Sequence, residues 1–160
     1  MNPSPSCLDL IRNSEGCQLK AYRDCAGVLT IGYGHTGPDV KPGMKITWTQ
    51  AEALLGSDAL VAAEAVEHLA GPCTQGQFDA FVDFVFNFGA TRFSTSTLLH
   101  KHKAGNFTGA AAEFGKWIYA GQPPRPEPGL IKRRAAETHL YLSDQLPHDV
   151  KVSDEEDDGA

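Results

Sequence analysis

Apolar positions recur at helical spacing in some stretches and at alternate positions in others, and the change of period divides the chain. Leu8, Leu10 and Ile11 follow the pair Ser6 and Asp9, whose spacing resembles a capping box, and Gly16 closes this first predicted helix. Leu19 to Tyr22 and Val28 to Ile31 are short strand-like runs around Asp24-Cys-Ala-Gly27, which predicts a hairpin. Gly32, Gly34, Gly37 and Gly43, with Pro38 and Pro42, then mark a loop-rich stretch. Thr49 and Glu52 make a second capping signal before an Ala/Leu/Glu-rich helix over about 50–69, stopped by Gly71-Pro72.

Thr74 with Gln77 opens a helix from Phe78 to Phe88, ended by Gly89. Phe78, Phe81, Val82, Val85 and Phe88 share one face, but Phe84 and Phe86 lie off it. A helix apolar nearly all round belongs in the middle of a bundle, so these aromatics are core. Further helices are expected at about 96–103, 107–119 and 129–142, broken by Gly105 and by the proline-rich link from Gly121 to Pro128. The pattern predicts an α+β, mostly helical protein. It has a small β-hairpin lobe (about 15–48), a connecting helix (about 50–69) and a helical lobe (about 73–143). Residues 144–160 lack periodicity and are expected to be a disordered acidic tail.

Charge sharpens that division. The net charge of the 160 residues is −6, yet residues 144–160 contain seven acids and one base, leaving thirteen of each in residues 1–143. Within that body the first 71 residues carry an excess of three acids and the rest an excess of three bases. Between Arg92 and Arg134 there are eight bases and two acids, Glu113 and Glu127, a stretch able to attract a polyanion unless it is merely solvated helix surface. No apolar run approaches the ~18 residues of a membrane span, and the N-terminus shows no signal-peptide pattern. Cys7, Cys17, Cys25 and Cys73 lack zinc-site spacing and read as free thiols, so neither metal nor cofactor is expected.

The chemistry centres on two carboxyls. Glu15 falls at the end of the first helix, where the negative end of the helix dipole disfavours a carboxylate and favours a proton-bearing acid. Asp24, in the hairpin turn, is expected to stay ionised. Two carboxyls pushed apart in proton affinity are the signature of glycoside hydrolysis. Thr30 shares a strand face with Val28, opposite Leu29 and Ile31, so its hydroxyl can reach a cleft while its neighbours pack.

The string Glu15-Gly-x₅-Tyr22-x-Asp24-x₂-Gly27-x₂-Thr30-Ile-Gly-Tyr-Gly-His-Thr36 resembles the active-site segment of phage endolysins of the T4-lysozyme type, glycoside hydrolase family 24. Asp83-Phe-Val-Phe-Asn87-x-Gly89, Ser96-Thr-Leu-Leu99, Ala111-x-Glu-Phe-x-x-Trp117 and Pro128-Gly-Leu-Ile-Lys-Arg-Arg134-x-x-Glu137 resemble the helical lobe of its lambdoid and P22-like members. The resemblance covers about residues 6–143. It implies a lysozyme-like fold with the cleft between two lobes, and a muramidase that hydrolyses the β-1,4 bond between N-acetylmuramic acid and N-acetylglucosamine in peptidoglycan. Glu15 then matches the general acid, Asp24 the second carboxylate and Thr30 the residue that positions water, in an inverting mechanism without cofactor or metal.

The same resemblance implies a monomer held in the host cytoplasm until a holin releases it to the periplasm, with no nucleic-acid partner and no stable membrane insertion. Around the cleft, Tyr33 is expected to line it, Asn87 to bind an N-acetyl group or cap backbone, and Arg134 to bind substrate. Either Arg133 or Arg134 is expected to pair with Glu15. His35 is expected to make a structural contact, Trp117 to belong to the core, and Tyr119 is a candidate for stacking on a sugar ring. The competing functions are a lytic transglycosylase on the same bond and a non-enzymatic wall- or membrane-binding protein acting through residues 92–134.

Overall fold

The computed structural model describes residues 1–144. Helix α1 (Pro5–Glu15) starts before the Ser6/Asp9 pair: Ser4 is the N-cap, its Oγ accepting from the Cys7 N–H, and Pro5 occupies the first turn, where no N–H is needed. A tertiary contact selects this cap. The Ser4 N–H donates to Asp79 Oδ1 at 3.0 Å and its hydroxyl donates to Asp79 Oδ2, which ties the helix start to the centre of the molecule.

Strands β1 (Gln18–Arg23), β2 (Leu29–Gly32) and β3 (His35–Thr36) form an antiparallel sheet in that order, with the expected hairpin between the first two. The register sets Tyr22 opposite Thr30 and Thr30 opposite Thr36, so these three side chains cross one face of the sheet. Helix α2 (Trp48–Ala70) follows, and its 23 residues span about 34 Å. Its capping box is Thr47 with Gln50 rather than Thr49 with Glu52. Glu52 therefore lies within the helix, where it accepts from Arg12 and from the Tyr33 hydroxyl.

Helix α3 (Gln75–Phe88) keeps the predicted capping box of Thr74 and Gln77, and every residue from Gly76 to Val85 is buried. It is the central helix that its apolar circumference implied. Phe84 and Phe88 pack with Trp117, and Phe81 meets Phe93, Phe114, His102 and Tyr141. Two short elements were not expected: α4 (Ala90–Ser94), and a hairpin of β4 (Tyr119–Ala120) and β5 (Arg125–Pro126) built from the proline-rich link. Between them lie α5 (Thr97–Lys103) and α6 (Phe107–Glu113). The helix expected to reach residue 119 ends at Glu113, passes through a tighter turn over Phe114–Lys116, and leaves helical geometry at Trp117. Helix α7 (Pro128–Ser143) closes the body, with Glu127 capping it by accepting from the Gly129 and Leu130 N–H groups.

The C-terminal end of α7 docks on the N-terminal end of α3. Asp144, counted with the tail by sequence, accepts from the Gly76 N–H at 2.7 Å and so supplies a partner to an otherwise open helix start. The remainder of the expected tail lies outside the described residues. Gly76 is required at this seam, because a Cβ there would sit 2.2 Å from the Leu140 carbonyl and 2.6 Å from the Ser143 hydroxyl. Gly76→Ala should force the two helices apart and destabilise the fold by about 2 kcal/mol or more. A lowered urea midpoint at unchanged slope is the expected result, and an unchanged midpoint would show that the seam is slack.

Candidate active site

Glu15 is the last residue of α1, and Gly16, at φ 65°, turns the chain from there into the sheet. Two neighbours grip its carboxyl. Arg133 Nη1, from α7, donates to Oε1 at 2.7 Å. Oε2 lies against the bare backbone of Gly34, where a Cβ would come within 2.7 Å of it, and the φ of 74° there also favours glycine. The carboxyl keeps some access to solvent, with 22% of the Glu15 side chain exposed.

Of the two arginines left open by sequence, Arg133 makes this contact. Its Nε and Nη2 donate to the two oxygens of buried Asp83 on α3, each at 2.9 Å. Burial alone would lower its proton affinity, but the Asp83 bonds and charge, with Glu15 behind them, outweigh that and raise it. Arg134 does not face the cleft, which corrects its expected role in binding substrate. It is 1% exposed, donates to Glu137 Oε1 at 2.7 Å and stacks over Phe88 and Phe84. Consecutive helical residues point about 100° apart, so only one of the pair can reach Glu15.

Asp24 is fixed by its own hairpin. Its Oδ1 accepts from the Ala26 and Val28 N–H groups, both at 2.9 Å, which closes the loop around the carboxylate. Tyr22 links it to Glu15: burial first, then the charges of Glu15 and of Asp24, push the phenol above its ordinary range. One side chain thus feels both carboxyls, and across the sheet from it stands Thr30. Thr30 is nearly covered, and its hydroxyl donates to the Val28 carbonyl at 3.0 Å. Its proton is committed, while its oxygen lone pairs remain available to accept.

Beside this cluster a cavity of about 280 Å³ opens between the lobes, bounded by Gly34 and Thr36, by Asp58 and Val61 of α2, and by Phe86 and Ala90. His35, between the lining residues Gly34 and Thr36, is a structural clamp, with Nδ1 2.7 Å from Asp58 and Nε2 2.8 Å from Asp39. Tyr33 does not line the cleft, a second correction. It sits in the turn between β2 and β3 and packs into the core, and its hydroxyl donates to Glu52 Oε1 at 2.9 Å. Asn87 is half-buried near the end of α3, and its Oδ1 has no hydrogen-bond partner among the described residues. Trp117 packs edge-on to Phe84, 5.0 Å between centroids, as a core residue, whereas Tyr119 on β4 is exposed.

Sequence reasoning did not single out Tyr22, Gly34 or Asp83. The signals were present: Tyr22 is two residues from Asp24, and Asp83, like Asp79, is a charge in a helix whose aromatic residues mark it as central. The basic stretch from Arg92 to Arg134 is thinner at the surface than its count suggests. Arg133 and Arg134 are interior, and Lys101 and Lys116 both pair with Glu113, which leaves Arg92, Lys103, Arg125 and Lys132 as its exposed bases without an ion pair among the described residues.

A family model described as phage lysozyme matches residues 12–137. An endolysin of Acyrthosiphon pisum secondary endosymbiont phage 1 is 48% identical over 146 residues, covering 89% of this chain and 99% of that protein. Among solved structures, the muramidase domain of SpmX from Asticcacaulis excentricus superposes with a TM-score of 0.81 at 38% identity, covering 87% of this chain and 96% of that one. An endolysin from Escherichia coli O157:H7 phage FAHEc1 gives 0.80 at 39% identity, covering 90% and 95%.

The His35 clamp has a pH signature. Burial lowers the imidazole's proton affinity, but the hydrogen bonds the ring donates to Asp58 and Asp39, and then their charges, outweigh it and raise the value. A group raised on folding contributes fully below its unfolded value of about 6.5 and loses that contribution as pH rises through the higher folded value. The difference in melting temperature between the protein and His35→Gln should therefore be largest below pH 6 and shrink on going to pH 8. A difference that grows with pH would contradict the clamp.

Proposed function

The chain belongs to the phage lysozyme family, and from that premise we propose that it is an endolysin acting as a muramidase on peptidoglycan, with Glu15 as general acid and Asp24 and Thr30 governing the water. Protonated Glu15 donates to the glycosidic oxygen as the bond to the leaving sugar breaks. Asp24 faces the positive charge that develops on the ring and takes up a proton from water. Thr30, whose own proton is held by the Val28 carbonyl, accepts a hydrogen bond from that water and so turns an oxygen lone pair toward the anomeric carbon. This assignment makes the enzyme inverting, since the water attacks the face opposite the leaving group. Two carboxyls and a positioned water suffice, with no metal or cofactor in the scheme.

The observation that carries the proposal is the Glu15 carboxyl gripped by Arg133 and Gly34 beside the cavity, with Tyr22 and Thr30 paired across the adjoining sheet. We also propose a monomer as the working unit. We further propose that the protein waits in the host cytoplasm for a holin to open the membrane and then works in the periplasm. Among the described residues no helix is long and apolar enough to cross a membrane. Four exposed unpaired bases are a modest basis for a purely cationic mode of action, so catalysis is favoured over wall or membrane binding.

Glu15→Gln keeps the side chain's shape and its contact with Arg133 but removes the transferable proton. Clearing of purified cell walls should fall at least tenfold while circular dichroism and the melting curve stay unchanged. A variant that retains more than a tenth of the rate would remove Glu15 from the role of acid. Mass spectrometry of the released muropeptides should show hydrated reducing ends, whereas anhydromuramic ends would identify a transglycosylase instead.

A further inference from the structure

The arginine that holds Glu15 presents a chemical difficulty. A guanidinium 2.7 Å from a carboxyl favours the ionised form, whereas a general acid must hold its proton until the bond breaks. Arg133 is fully charged and almost completely buried, so solvent does little to screen it. Its charge, however, does not act on Glu15 alone. The entire Nε/Nη2 edge is taken by the Asp83 carboxylate at 2.9 Å on each side, and only Nη1 is left for Glu15. Glu15 thus meets one end of a paired cation, whose field is weaker than that of a lone one.

We infer that Asp83 is a positioning residue for the reaction: by holding Arg133 bidentately on α3, it offsets the guanidinium's charge and leaves Glu15 able to carry the proton it donates. The inference rests on the reading of Glu15 as the acid. Asp83 touches no substrate and acts only through Arg133.

The surrounding charges support this division of labour. From α7, Arg134 Nη2 lies 4.0 Å from Asp83 Oδ2 but makes its close bond, at 2.7 Å, to Glu137. Burial first, and then the hydrogen bond to Asp83 and its charge, push Glu137 well above the usual carboxyl range. Arg134 is thus committed to Glu137, which leaves the Asp83 carboxylate to Arg133. From the sheet, Tyr22 faces Glu15, and Asp24 acts on the same phenol. From α1, the buried thiol of Cys7 is raised by burial and then by Asp79 and Asp83, and it contributes no charge. Among the described residues Arg133 is the cation in direct contact with Glu15, and Asp83 is the anion that balances it.

A polar residue that merely filled the core would, on removal, lower the rate equally at every pH. Asp83→Asn should instead leave Arg133 to be balanced by Glu15 alone. The basic limb of the kcat/KM profile on purified peptidoglycan should then move about one pH unit lower, about a tenfold loss above the limb, with the acid-side plateau within a few-fold. Arg133→Gln should move the limb the opposite way. The double variant, which buries two neutral amides face to face, should return it to within about 0.3 of a unit of the full protein. If Asp83→Asn fails to fold, the double variant against Arg133→Gln still reads the Asp83 charge, as a downward movement of the limb. A limb that stays fixed across these comparisons overturns the inference. Glu15→Gln, run alongside, separates the two levels: an active Glu15→Gln refutes the acid itself, while an inactive one with an unmoved limb refutes Asp83 only.

Discussion

A single buried guanidinium joins the three helices on which the site is built. Arg133 leaves α7, meets Asp83 at the heart of α3 and ends on Glu15 at the tip of α1. Removing Asp83 or Arg133 would leave the other as an unbalanced charge in the interior, which is far costlier than losing an exposed ion pair. The constraint works in both directions. Close packing of the aromatic residues around α3 holds Asp83 in place, and the ion pair in turn fixes how α7 and α1 lie against that helix.

Much of this architecture was legible in the amino-acid sequence, and the reasons are local. The Thr74/Gln77 box, the hairpin around Asp24 and the glycines that end α1, α2 and α3 depend on neighbours only a few residues away. Glu15, Asp24 and Thr30 also sit within one continuous stretch, so their spacing was readable before any tertiary contact was known. Where a cap depended on something distant, the local signal misled. Ser4 prevails over Ser6 because Asp79, 75 residues away, holds it. Thr47 replaces Thr49, and Glu52 turns instead toward Arg12 and Tyr33.

The two corrected side chains illustrate a different limit. Tyr33 and Arg134 each stand next to a residue that does face the cleft, and sequence alone does not fix the rotation that separates neighbours. In the helix that rotation is about 100°, enough to send Arg134 under Phe88 while Arg133 reaches Glu15. The short α4 and the hairpin of β4 and β5 were missed for want of length, since neither is long enough to show a period.

Glu15 belongs to the helical body, while Asp24 and Thr30 are borne by the sheet that leans on α2. The gap between the carboxyls is therefore a property of a joint, not of any active-site residue. Gly32 lies at that joint, beside Ile46 and Ala51. Because carboxyl separation selects between inversion and retention of sugar stereochemistry, the proposed chemistry depends on apolar packing between the sheet and α2 as well as on the carboxyls themselves.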